Sequence, residues 1–242
     1  MSTATAAPEI TEKFRKDYTP PPYRIDSLSL NFDIQEDETL VTSTLTVLPA
    51  AGAGEGVPME LDGEELSLRS IEIDGSPLTE GSDYALTSDG LALLRPPHTS
   101  AFELKTVVSI APHKNTQLSG LYKSGGMYCT QCEAEGFRRI TYFQDRPDVL
   151  AKYDVRIEAD KATYPLLLSN GNEVAKGEAA DGRHWASFVD PFPKPSYLFA
   201  AVVGDLGGIE DTYTTASGRI KSPHTDGKAP CGVMMRAAFR IM

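Results

Sequence analysis

Two of the chain's three cysteines, Cys129 and Cys132, stand in a C-x-x-C spacing inside residues 128–140, YCTQCEAEGFRRI. Such a pair does redox chemistry when its first cysteine opens a helix after a βαβ unit, and no βαβ pattern surrounds it here. A structural zinc site needs two further ligands. The candidates are Cys231 and four histidines, His98, His113, His184 and His224, and no metal-ligand spacing connects them. The residues are better read as small buried side chains. The polar residues between and after them offer different chemistry. In an extended segment Gln131, Glu133 and Glu135 project from one face and Cys132 and Ala134 from the other. That face is either a solvated strand surface or an anionic socket. In a socket the carboxylates supply charge and the amide oxygen a further acceptor for an ammonium group.

The elements that would position these residues are strands. Leu28, Leu30, Phe32 and Ile34 alternate with Ser27, Ser29, Asn31 and Asp33, a period of two that marks a half-buried strand. The pattern recurs at Val41, Leu45 and Val47, at Phe102, Leu104, Val108 and Ile110, and at Val155, Ile157 and Ala159. Apolar runs at 166–168 and 198–203 add further candidates. Asp62-Gly63, Asp74-Gly75, Asp89-Gly90 and Asp181-Gly182 supply positive-φ turn residues, and the last joins two strand-like runs directly. Many short strands with frequent turns predict an all-β, antiparallel sandwich-like fold. One short helical turn is expected over 146–152, with Asp145 as cap and Pro147 in the first turn. Residues 50–56, AAGAGEG, read as a hairpin loop, and 190–197, DPFPKPSY, as a proline-stiffened connection. His184-Trp185 reads as packing, and Ser169-Asn170-Gly171-Asn172 as a turn.

Composition narrows the partners. With 23 Lys+Arg against 34 Asp+Glu the net charge is −11, which repels nucleic acid and anionic membranes and welcomes a small cation. No apolar run is long enough for a transmembrane helix. An odd number of cysteines and an amino end without an apolar signal core point to a cytoplasmic location. The organisation expected is a flexible tail over 1–13, a β domain over 14–218, and a divergent tail over 219–242 that loses the alternation. No G-x-S-x-G, P-loop or H-E-x-x-H pattern occurs.

Residues 120–206, from GLYKSGGMYCTQCEAEGFRRITYFQDRPDVLAKYDVRI through HWASFVDPFPKPSYLFAAVVGDL, closely resemble the amino-terminal domain of the aminopeptidase N family of zinc metallopeptidases. The bacterial and plant-type alanyl aminopeptidases are the most similar. Upstream, FRKDYTPPPYRIDSLSLNFDI and LDGEELSLRSIEIDG fit the opening of the same domain, so the resemblance spans roughly residues 14–215. It implies a saddle-shaped all-β module that leans on a thermolysin-like catalytic domain. It implies that Glu133 helps bind the α-ammonium of a peptide's amino terminus and that Gln131 lines the pocket for the first side chain. Glu135 receives no role from it. The family's zinc ligands and its Gly-Ala-Met-Glu-Asn segment belong to the next domain, and neither pattern occurs in this sequence, which departs from the family at about Arg219. The expectation is a truncated member whose parent enzyme uses zinc and releases amino-terminal residues from peptides. The chain itself holds no cofactor or metal site and no catalytic residue, and is inactive alone. A stand-alone β-sandwich protein-binding module, or a fragment without function, is the alternative.

Overall fold

The computed structural model describes residues 14–210 and, beyond them, 213–214, 216, 218, 220–221 and 224–226. Fifteen strands build the body: β1 (Tyr23–Ile34), β2 (Thr39–Pro49), β3 (Met59–Asp62), β4 (Ser67–Ile73), β5 (Ser76–Pro77), β6 (Tyr84–Thr87), β7 (Gly90–Leu93), β8 (Phe102–Ile110), β9 (Gly120–Ser124), β10 (Met127–Gln131), β11 (Ala151–Asp160), β12 (Leu166–Ser169), β13 (Asn172–Glu178), β14 (Arg183–Lys194) and β15 (Ala201–Gly204). The large sheet has the order β13-β14-β11-β1-β2-β8-β4-β5. A four-stranded sheet runs β12-β15-β10-β9, and a three-stranded one β3-β7-β6. Two short ladders follow, 208–210 with 224–226 and 213–214 with 220–221. The expected tail over 219–242 lies mostly outside the described residues, and the expected tail over 1–13 lies wholly outside them. No described helix is long and apolar enough to cross a membrane.

The all-β class holds, with one departure from a purely antiparallel arrangement. β1 and β11 pair in parallel, Ser27 opposite Lys152 through Asp33 opposite Glu158. The core follows from alternation. β11 buries Ala151, Tyr153, Val155, Ile157 and Ala159, and β2 buries Val41, Leu45 and Val47. On β1 the buried set changes parity, from Tyr23 and Ile25 to Leu28, Leu30, Phe32 and Ile34. One extra residue must therefore be absorbed, and the ladder to β2 shifts register between Ile25 and Ser27. A bulge there keeps both sets on the inner face.

An aromatic cluster of Phe137, Phe143, Tyr153 and Phe199 lies within the core. The Phe137 ring lies 5.1 Å from Phe143, 5.3 Å from Phe199 and 6.1 Å from Tyr153, the edge-to-face spacing aromatic pairs prefer. Lys194 is buried beside it, its ammonium 2.9 Å from Asp190 and 3.6 Å from the centre of the Tyr153 ring.

Two local expectations change. The turn expected over 146–152 closes only once, with the Val149 N–H donating to the Arg146 carbonyl at 3.2 Å, and Asp145 does not cap it, because its carboxylate is taken up by Arg138 and Ser196 and the chain enters β11 at Ala151. Residues 50–56 link the large sheet to the three-stranded one and do not close a hairpin between paired strands.

Candidate functional site

Strand β10 ends at Gln131, and residues 133–136 form a turn leading into a 3-10 turn at Phe137–Arg139. The extended alternation therefore stops four residues earlier than the Gln131, Glu133 and Glu135 pattern implies. Gln131, Glu133 and Glu135 are all exposed, and so is Ala134, which was expected to face the core. Cys132 is buried as expected. Cys129 lies on the other side of the strand from Tyr128 and Thr130, half-buried, and hydrogen-bonds Tyr122 opposite it on β9. Burial pushes both thiols up, and the neighbouring Asp145 adds to the effect at Cys132. Neither cysteine is set up as a thiolate, the form that redox chemistry and metal ligation require. Among the described residues no group of three or more histidine, cysteine, aspartate or glutamate side chains could hold a metal ion, so these residues do not fit a zinc site.

Gln131 and Glu133 are brought together. The Gln131 amide Nε2 donates to the Glu133 carbonyl oxygen at 3.0 Å, and the Glu133–Ala134 peptide is cis. Among the described residues the Glu133 carboxylate has no ion-pair partner. Glu135 leans back instead, 3.8 Å from Arg138.

Backbone packing holds the turn. The Gly136 N–H donates to the Cys132 carbonyl at 2.8 Å. A Cβ on Gly136 would come within 2.3 Å of the Gln131 carbonyl oxygen and 2.9 Å of the Gly120 nitrogen. Gly120 sits opposite Gln131 in the β9–β10 ladder with φ of 76°, and a Cβ there would meet Arg139 Cβ at 2.7 Å. Both positions demand glycine, one for close approach and one for close approach and conformation together.

Charge locks the far side of the turn. Arg138 donates from its backbone N–H at 3.2 Å and from Nε at 3.1 Å to Asp145 Oδ2, and from Nη2 to the Asp145 carbonyl at 3.2 Å. Ser196 Oγ donates to the other Asp145 carboxylate oxygen at 2.5 Å. The Asp145 N–H donates in turn to Asp62 Oδ2 at 2.8 Å, and Asp62 lies 3.6 Å from Arg138 Nη1. Asp62 thus serves this network, and Asp62-Gly63 is not a positive-φ turn. Sequence reasoning passed over Arg138, Gly120 and Gly136 and took Asp145 for a cap. The available signal was an Arg-Arg pair seven residues before an aspartate, in a chain where arginines are outnumbered by acids.

The remaining candidates are structural. The His184 ring lies 2.8 Å from the Tyr164 carbonyl, and Ser169 and Asn170 bond the backbone of Ala200.

The arrangement is a rigid ledge that presents one amide and one free carboxylate from the end of a strand. Residues 61–198 match the family described as Peptidase M1 N-terminal domain. Aminopeptidase N of Caulobacter vibrioides is 53% identical over 203 residues, and aminopeptidase N of Escherichia coli 49% over 207. These alignments cover 84% and 86% of the chain but 23% of each relative, so the chain spans about a quarter of their length. The crystal structure of Legionella pneumophila aminopeptidase A in complex with aspartic acid superposes with a TM-score of 0.83 at 34% identity, over 88% of this chain and 25% of that one. A Deinococcus radiodurans M1 zinc metallopeptidase shares the fold, with a TM-score of 0.70 at 17% identity. With most of its β body matched by the family and its ledge inside the matched segment, the chain belongs to the peptidase M1 N-terminal domain family.

Proposed function

We propose that this chain supplies the substrate-anchoring wall of a metallo-aminopeptidase. Glu133 takes the α-ammonium of a peptide's amino terminus, and Gln131 borders the pocket for the first side chain. A zinc-bearing catalytic domain packed alongside would supply a polarising metal centre to cut the first peptide bond. The observation that carries this reading is the unpaired Glu133 carboxylate on a turn whose other nearby charges are already matched. A fixed acceptor of that kind lets an enzyme measure from the chain end.

Physics also explains why the wall needs its neighbour. A carboxylate–ammonium pair at about 4 Å is worth about 1 kcal/mol in water and about 4 kcal/mol at an effective dielectric near 20. Glu133 is exposed here, so strong anchoring requires a second domain to exclude water. Alone, the chain binds peptides weakly and does not hydrolyse them.

The test is a chimera in which residues 14–210 replace the matching segment of Caulobacter vibrioides aminopeptidase N. It should hydrolyse an alanyl chromogenic substrate, and Glu133→Gln should lower kcat/KM by roughly 10²–10³-fold, the equivalent of about 3–4 kcal/mol. An unchanged kcat/KM would overturn the role of Glu133. Chelator-sensitive hydrolysis by the isolated chain would overturn its inactivity.

A further inference from the structure

The four-stranded antiparallel sheet β12-β15-β10-β9 turns one face, with Tyr128, Leu167 and Val203, into the core. The opposite face carries Leu166 and Leu168 of β12, Val202 of β15, Met127 and Cys129 of β10, and Tyr122 of β9. Cys129 stands opposite both Val202 and Tyr122, and Leu168 stands opposite Val202, so the ladders put these side chains on one side. Val202 is 3% exposed, and the other five are only half-buried.

An antiparallel sheet with one face on the core usually turns polar residues to water on the other. The large sheet does so, with Asp33, Lys152, Asp154, Arg156 and Glu158 on the outer face of β1 and β11. Among the described residues of the four-stranded sheet's outer face none is charged, in a chain that is 24% charged. At its centre the Tyr122 hydroxyl and the Cys129 thiol are hydrogen-bonded to each other, so neither depends on water. A continuous apolar face of this kind marks a contact surface.

We propose that this face docks the zinc-bearing domain of the proposed function, through Leu166, Leu168 and Val202 with Met127, Cys129 and Tyr122. The inference rests on that reading and gives it a location. Gln131 lies on the same face, at the end of β10 two residues from Cys129. A body that excludes water from the Gln131 and Glu133 ledge therefore also covers the surface beside it. The chain aligns with 23% of each aminopeptidase N, so most of each relative's polypeptide lies outside the match and has yet to find its seat. A second copy of the chain fits less well, because it would bring one net charge of −11 against another.

The test compares cysteines at two half-buried positions, Leu168→Cys on this face and Thr44→Cys on the outer face of the large sheet. Their rates of modification by iodoacetamide, read by mass spectrometry of the peptides, are measured in the full chain and in the Caulobacter vibrioides chimera. The ratio of the Leu168→Cys rate to the Thr44→Cys rate should fall by roughly tenfold or more in the chimera, since a closed interface admits reagent only on local opening. The same two cysteines at the aligned positions of the intact Caulobacter vibrioides enzyme give a second measurement that does not depend on the chimera folding. A ratio as high in both larger proteins as in the full chain would overturn the docking face. Slow Leu168→Cys labelling in the full chain that speeds up on dilution would assign the face to a second copy and overturn it too. Labelling needs no substrate, so its outcome is independent of what Glu133→Gln does to kcat/KM.

Discussion

Replacing Asp145 with alanine should be among the most destabilising changes in the domain. The Asp145 side chain is 1% exposed and accepts three hydrogen bonds, two from Arg138 and one from Ser196. Without it the Arg138 side chain, itself 15% exposed, keeps only the neutral Asp145 main-chain carbonyl at 3.2 Å, Asp62 at 3.6 Å and the partly solvated Glu135. Stripping one partner from a buried ion pair costs about 3–5 kcal/mol, because the survivor stays buried and uncompensated. Against the roughly 5–15 kcal/mol of typical domain stability, that is a fifth or more of the total. Urea denaturation followed by fluorescence should show a midpoint lower by about 1.5 M, taking a slope of about 2–3 kcal/mol per molar for a domain of this size. Arg138→Met alone should cost a comparable amount, because it orphans the Asp145 carboxylate. The double variant Asp145→Leu/Arg138→Met should cost at least about 2 kcal/mol less than the sum of its single changes, since paired groups are not additive. An Asp145→Ala cost below about 1 kcal/mol, or additivity within about 0.5 kcal/mol, would refute the clamp.

Three further outcomes follow from the same geometry. Gly136→Ala should destabilise by about 1–3 kcal/mol, the usual range for overpacking, and should shift the amide resonances of Gln131 and Gly120; a neutral result by urea titration would contradict the close approach. Stability should decline above pH 10. The Tyr122 hydroxyl is pushed up to about 12, first by its hydrogen bond with Cys129 and then by burial, whereas an unfolded tyrosine loses its proton near ~10. The native state therefore holds a proton the unfolded state has released, so this contribution is whole below about pH 10 and lost as pH rises towards 12. Cys129→Ala should flatten that alkaline limb, and identical limbs would count against the bond. Finally, iodoacetamide at pH 8 should leave Cys132 unmodified in the native chain and modify it on unfolding, with mass spectrometry of the peptides as readout; rapid native labelling of Cys132 would show that it is not shut in the core.

The β architecture was legible wherever one face alternates. β1 beyond its bulge, β2, β8 and β11 turn every second residue inward, most of them apolar, and Asp74-Gly75 and Asp181-Gly182 occupy tight turns with positive φ, as their types imply. Alternation is a local signal, however, and says nothing about which strand lies beside which. The parallel pairing of β1 with β11 could not be read from either strand alone. Asp145 was misread for a related reason. Asp-Arg-Pro is locally a good helix start, and only the arrival of Arg138, Asp62 and Ser196 from other segments turns it into a buried anchor. The site itself was half legible. Gln131 and Glu133 stand out by type, but their presentation depends on Gly120 and Gly136, whose meaning lies in a backbone contact between two chain segments. Continuing the strand past Gln131 also put Ala134 on the wrong side.

The parallel contact between β1 and β11 also has a cost in time. Arg156 of β11 reaches Asn31 of β1 across 125 residues of chain, while β1 meets β2 through a hairpin as soon as both exist. At synthesis rates of about 5–20 residues per second, β1 waits roughly 6–25 s for its second neighbour. During that interval a long strand with an apolar inner face keeps an open edge, the template on which chains pair wrongly with one another. Completing the large sheet therefore depends on distant segments meeting, a pairing of far greater sequence separation than any of its hairpins and so the slower kind to form.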